Sequence, residues 1–146
     1  MGKLENKVAV VTGAASGMGR AISVMYAQEG AKVVLADYNL EGAEEAAKEI
    51  IAAGGTALAV KADVADSNDI AAMIDTAISE YGSLDILVNN AGIMDSFEPV
   101  GEVTDENWER IFDVNTKGVM RAMRKAVNYW LKNDKKGNII NVISTG

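Results

Sequence analysis

Residues 7–20 read KVAVVTGAASGMGR, and the fold of the chain turns on this stretch. Val8, Ala9, Val10 and Val11 form a short, largely β-branched apolar run, the kind that fills a parallel strand buried on both faces. Gly13, Gly17 and Gly19 follow at once, and a helical pattern begins. Glycines let a backbone turn sharply and approach a bulky anion without interference from a Cβ. A helix that starts there aims its unpaired N–H groups and the positive end of its dipole at the same spot. Strand, glycine turn and helix together form an anion cradle and the first half of a βαβ unit.

Moving outward, apolar runs and helical patterns alternate. A helix is expected from Arg20 to Glu29, closed by Gly30, and a second strand over 32–36, closed by Asp37. Asn39 is a cap for a helix over 41–53, which Gly54 and Gly55 stop. A third strand over 56–62 ends at Asp63, and Ser67 or Asp66 caps a helix reaching Tyr81. A fourth strand over 84–88 runs into Asn89-Asn90-Ala91-Gly92. Thr104 precedes a long helical stretch ending near Leu131, with Gly118 as its dividing point, and a fifth strand is expected over 138–143. This order predicts one α/β domain over 1–146: a Rossmann-like, doubly wound parallel sheet of five strands, with right-handed crossovers. In such sheets ligands bind outside the carboxyl ends of the strands, so the polar residues at those ends are the candidates for a site.

Composition narrows the chemistry. The chain has 146 residues, 49% of them hydrophobic and 24% charged, an ordinary globular balance. It has no cysteine and no histidine, so thiolate metal sites, disulfides and a Ser-His-Asp hydrolase are excluded. A formal charge of −7 argues against nucleic acid or an anionic membrane as partner. No apolar run reaches membrane-spanning length, and MGKLENK lacks the apolar core of a secretion signal. Asn6 stands where a myristoylation signal wants Ser or Thr, so cytoplasmic residence is the expectation.

The glycine spacing is not G-x-G-x-x-G, because Ile22 occupies the third glycine's place. It is T-G-x-x-x-G-x-G, carried by Thr12, Gly13, Gly17 and Gly19. With the Asn-Asn-Ala-Gly string at 89–92, Asn-Thr-Lys-Gly at 115–118 and the apolar strand leading to Ser144, this resembles the short-chain dehydrogenase/reductase family. The resemblance covers essentially the whole chain. It implies that Gly13, Ser16, Gly17, Met18 and Gly19 surround the phosphates of a nicotinamide dinucleotide. It also implies that Asp63 and Val64 border the adenine, and that Asn90, Ala91 and Gly92 lie along the cofactor. Asp37 ends the second strand near the roughly 20-residue spacing of a ribose-binding carboxylate. There it would accept hydrogen bonds from ribose hydroxyls and repel a 2′-phosphate. Ser16 brings no compensating positive charge, so NAD is expected in preference to NADP. By the same resemblance Asn115 supports a proton relay, Ser144 hydrogen-bonds the oxygen of a small-molecule alcohol or carbonyl substrate, and residues 104–132 pack against another subunit in a homo-oligomer.

The pattern also breaks. The family's proton donor is a tyrosine with a lysine four residues on, but Tyr26, Tyr38, Tyr81 and Tyr129 are followed at that spacing by Gly30, Gly42, Asp85 and Asn133. A positioned acid–base group is worth about 10²- to 10⁴-fold in rate. Residues 1–146 are therefore expected to be the front portion of a longer oxidoreductase and inactive alone, with the fifth strand left as an apolar edge. The alternative is a non-catalytic nucleotide-binding or interaction module.

Overall fold

The computed structural model describes residues 2–94 and 97–144, so the final two residues, Thr145 and Gly146, lie outside the described residues. Five strands, β1 (Val8–Thr12), β2 (Lys32–Asp37), β3 (Thr56–Lys61), β4 (Ile86–Asn89) and β5 (Asn138–Asn141), form one sheet in the order β3-β2-β1-β4-β5. All four neighbouring pairs are parallel. The sheet is the doubly wound, Rossmann-like arrangement expected, with the order reversing beside β1.

The apolar runs are explained by burial on both faces. Along β1, Ala9 and Val11 face one core while Val8 and Val10 face the other, and β2 divides Val33 and Leu35 from Val34 and Ala36 in the same way. Helices α1 (Gly17–Gln28) and α2 (Leu40–Ala52) cover the first face. Helices α3 (Ser67–Tyr81) and α5 (Gly118–Lys132) cover the second. Asn39 caps α2 by accepting the Gly42 N–H at 3.1 Å. Of the two candidate caps for α3 the structure selects Asp66, which accepts from Asn68 and Asp69 at 2.7 and 3.2 Å.

Three expectations change. Helix α1 begins at Gly17 rather than Arg20, so the glycine turn and the first helical turn are continuous. The long stretch after Thr104 divides at Gly118 as expected, where α5 begins, but the part before it is itself split into α4 (Asp105–Phe112) and a π-helical turn (Asp113–Lys117). The π turn carries Asn115, whose side chain bonds the loop after β4, as described below. Strand β5 is shorter than expected, although the Val142 N–H still donates to the Asn89 carbonyl at 2.9 Å. It pairs only with β4 among the described strands, and Ile140 on it is 43% exposed.

Candidate cofactor site

The carboxyl ends of β1, β2, β3 and β4 surround a cavity of about 630 Å³. Of the residues singled out in the sequence, Gly13, Ser16, Asp37 and Asp63 line it, as do Val64, Asn90, Ala91 and Gly92. Gly17, Met18 and Gly19 form the first turn of α1 directly behind Ser16.

That turn is not closed by its own N-cap side chain. Ser16 stands at the N-cap in extended conformation but its side chain makes no capping hydrogen bond. The N–H groups at the start of α1 are thus not closed off by their own cap, unlike those of α2 and α3. Gly17 enters the helix at φ +56°, and a Cβ there would meet nothing within 4 Å, so the space in front of it is open. Gly19 is the reverse case: a Cβ would overlap the Gly13 carbonyl and the Asn90 amide. The turn is therefore drawn tight at Gly19 and open at Gly17.

Asp37 is oriented by backbone donors. One carboxylate oxygen accepts from the Ala15 N–H at 2.9 Å and the other from Asn39 at 2.9 Å. A carboxylate has about four acceptor positions, so capacity remains for hydroxyl groups in the cavity. On β3's side, Asp63 accepts from the Ala65 N–H at 2.9 Å and donates its own N–H to Asp69 at 3.0 Å, which sets the turn that presents Val64.

A residue not among the predicted site residues holds β1 to β4. Thr12 is 2% exposed, and its Oγ1 accepts the N–H groups of both Asn90 and Ala91 at 3.0 Å while donating to the Val88 carbonyl at 3.4 Å. Asn90 answers by donating its amide to the Gly13 carbonyl at 3.3 Å. One strand further, the Asn89 amide donates to Asn141 at 2.9 Å. The asparagines of the 89–92 string thus lace three strand ends together. A hydroxyl at the end of an apolar strand was the available signal for Thr12, but its partners lie far along the chain.

Asn115 sits in the π turn and lines an adjoining cavity of about 310 Å³ together with Ile93. Its Oδ1 accepts the Ile93 N–H at 2.8 Å and its Nδ2 donates to the Ile93 carbonyl at 2.7 Å. This two-way bond is made by a residue inside the π turn; π turns are frequent at functional sites. Ser144 lies beyond the carboxyl end of β5, exposed, and lines neither cavity. The structure therefore does not bring Asn115 and Ser144 into the first cavity with the eight predicted residues that line it.

A Ser, Tyr and Lys do meet elsewhere: Lys135 Nζ lies 3.3 Å from Ser83 Oγ and 3.2 Å from Tyr129 OH. Ser83 and Lys135 precede β4 and β5, so this trio occupies the amino ends of the strands, opposite the cavity. Its residue types match a Ser–Tyr–Lys relay, but its position does not.

The family model for short chain dehydrogenases matches residues 7–146. Among curated proteins, a 3beta-hydroxysteroid dehydrogenase 2 of Eggerthella lenta is 40% identical over 141 residues, covering 97% of this chain and 54% of that protein. A galactitol 2-dehydrogenase of Agrobacterium fabrum is 43% identical over 142 residues, again 97% of this chain and 54% of the relative. The crystal structure of a metagenomic short-chain oxidoreductase in complex with NADP superposes with a TM-score of 0.92 at 34% identity, covering 98% of this chain and 64% of that one. The chain spans about half the length of the curated relatives it matches. Among the described residues no helix is long and apolar enough to cross a membrane.

Proposed function

The chain belongs to the short-chain dehydrogenase/reductase family, and on that premise we propose that it is the cofactor-binding portion of an NAD-dependent oxidoreductase acting on a small-molecule alcohol or carbonyl. The observation that carries this reading is the uncapped, glycine-lined start of α1, opening into the same cavity as the oriented Asp37 carboxylate. Bound there, a nicotinamide dinucleotide supplies the hydride chemistry. The chain's own residues bind and orient it: the first turn of α1 takes the phosphates, Asp37 the ribose hydroxyls, and Asp63, Val64 and the 90–92 segment the adenosine and the adjoining backbone. Asn115, clasping Ile93, supports the relay, and Ser144 holds the substrate oxygen.

NAD preference rests on Asp37. The NADP in the 34%-identical structure belongs to that protein, whereas a 2′-phosphate here would face a carboxylate already fixed by two N–H groups. Residues 1–146 contain no Tyr-x-x-x-Lys and by themselves bind cofactor without turnover. A stripe of exposed apolar residues on α4 and α5, with Trp108 stacked on Phe112 at 4.6 Å and Leu131 beyond, supports a homo-oligomer.

The test is a titration of NADH and NADPH by fluorescence, for the wild type and for Asp37→Ala combined with Tyr38→Arg. The wild type is expected to favour NADH by about tenfold or more, which is 1.4 kcal/mol, and the double variant to favour NADPH. An unchanged preference in the variant would remove Asp37 from its assigned role.

A further inference from the structure

We propose that Arg110 is a further cofactor-binding residue, whose guanidinium lies against the adenine ring. The proposal rests on the nucleotide-site reading above and extends it to a residue on α4. Arg110 is the one cationic side chain among the residues lining the 630 Å³ cavity, whose lining also includes Asp37 and Asp63. It is exposed, and among the described residues no carboxylate lies within 4.0 Å of it and no hydrogen bond engages it.

Its position follows from the packing of the π turn. Arg110 and Val114 are one turn apart and both face the cavity. Immediately beyond, Asn115 is bonded to Ile93, and Gly118 opens α5 so close to the Val64 carbonyl that a Cβ would overlap it. These two anchors press the Arg110–Val114 face against the Val64 side of the cavity, while the phosphate-receiving turn of α1 rises from β1. Val64, Val114 and Arg110 line the same cavity as Asp37, and in the proposed reading, which has Val64 at the adenosine, the flat base is the part of the dinucleotide that Arg110 would meet. A guanidinium is planar, weakly hydrated and attracted to aromatic faces, and the acidic residues of the cavity favour its approach. The segment therefore does two jobs: Asn115 reaches back to the loop after β4, and Arg110 reaches forward over the base.

The experiment uses the full-length gene product, with Arg110→Ala and Arg110→Lys, and titrates NADH directly and adenosine by competition. Arg110→Ala is expected to weaken both by about three- to thirtyfold, with Arg110→Lys losing less and the melting temperature of the ligand-free protein unchanged. A loss for NADH with adenosine unaffected would assign Arg110 to the phosphates and overturn the adenine contact. So would unchanged NADH affinity, or an affinity loss matched by a fall in ligand-free stability. Failure of the wild type to bind NADH at all would refute the nucleotide site itself, an outcome distinct from binding that ignores Arg110.

Discussion

Replacing Thr12 by valine removes one hydroxyl and almost no volume, yet it should be among the costliest single changes in the chain. Among the described residues Thr12 Oγ1 is the one acceptor of the Asn90 and Ala91 N–H groups, and it itself donates to the Val88 carbonyl. The site is 2% exposed at Thr12, so water has little access to replace the lost acceptor. A buried donor left unpaired costs about 1–3 kcal/mol. Two such donors, both at a partly buried position, give about 2–4 kcal/mol, out of a total stability of about 5–15 kcal/mol for a domain. Thr12→Ser keeps the hydroxyl and deletes one methyl, for about 1 kcal/mol. Urea unfolding followed by circular dichroism reads both; with a slope of about 1–3 kcal/mol per molar, Thr12→Val should lower the midpoint by about 1–2 M and Thr12→Ser by less than half as much. Because the same bonds shape the cavity wall, NADH affinity should fall with the valine and survive the serine. A valine variant as stable as the serine variant would refute the account of Thr12 as the clasp between β1 and β4.

The glycine turn offers an internal comparison. Gly19→Ala places a methyl against the Gly13 carbonyl and should cost about 1–3 kcal/mol by overpacking and abolish tight NADH binding, whereas Gly17→Ala meets no atom within 4 Å and pays only for its φ of +56°, about 1–2 kcal/mol. Urea midpoints in which Gly17→Ala unfolds far more easily than Gly19→Ala would reverse that reading. At alkaline pH, burial raises Tyr26 above its ordinary value of 10.0, and burial, then the nearby Glu80 carboxylate, raises Tyr81. The unfolded chain then loses these protons first, so their contribution to stability is complete below pH 10 and declines as the pH rises through the folded values. Tyr81→Phe should flatten that decline in melting temperature above pH 10; an unchanged slope would remove Tyr81 as a cause.

What was legible in the sequence was local. The β1 run, the glycines after it and the carboxylate at the end of β2 announce themselves because strand burial, turn geometry and helix termini are dictated by neighbouring residues. Hence five strands and their parallel class could be named in advance, while the family resemblance supplied most of the eight predicted residues that line the cavity. Element ends were less secure: Asp66 rather than Ser67 caps α3, a choice made by which side chain reaches the free N–H groups. Tertiary structure alone decided the contacts between distant elements. Nothing near Thr12 in sequence reveals that its hydroxyl serves Asn90 and Ala91, and nothing beside Asn115 reveals Ile93 as its partner. Arg110 reads as an ordinary exposed helix charge until α4 is laid across the cavity, and Ser83, Tyr129 and Lys135 show the converse, the residue types of a relay gathered at the wrong end of the sheet. The reason is physical: a backbone conformation is chosen by a few adjacent side chains, but a site is an arrangement of side chains in space, and that exists only once the strands have been placed side by side.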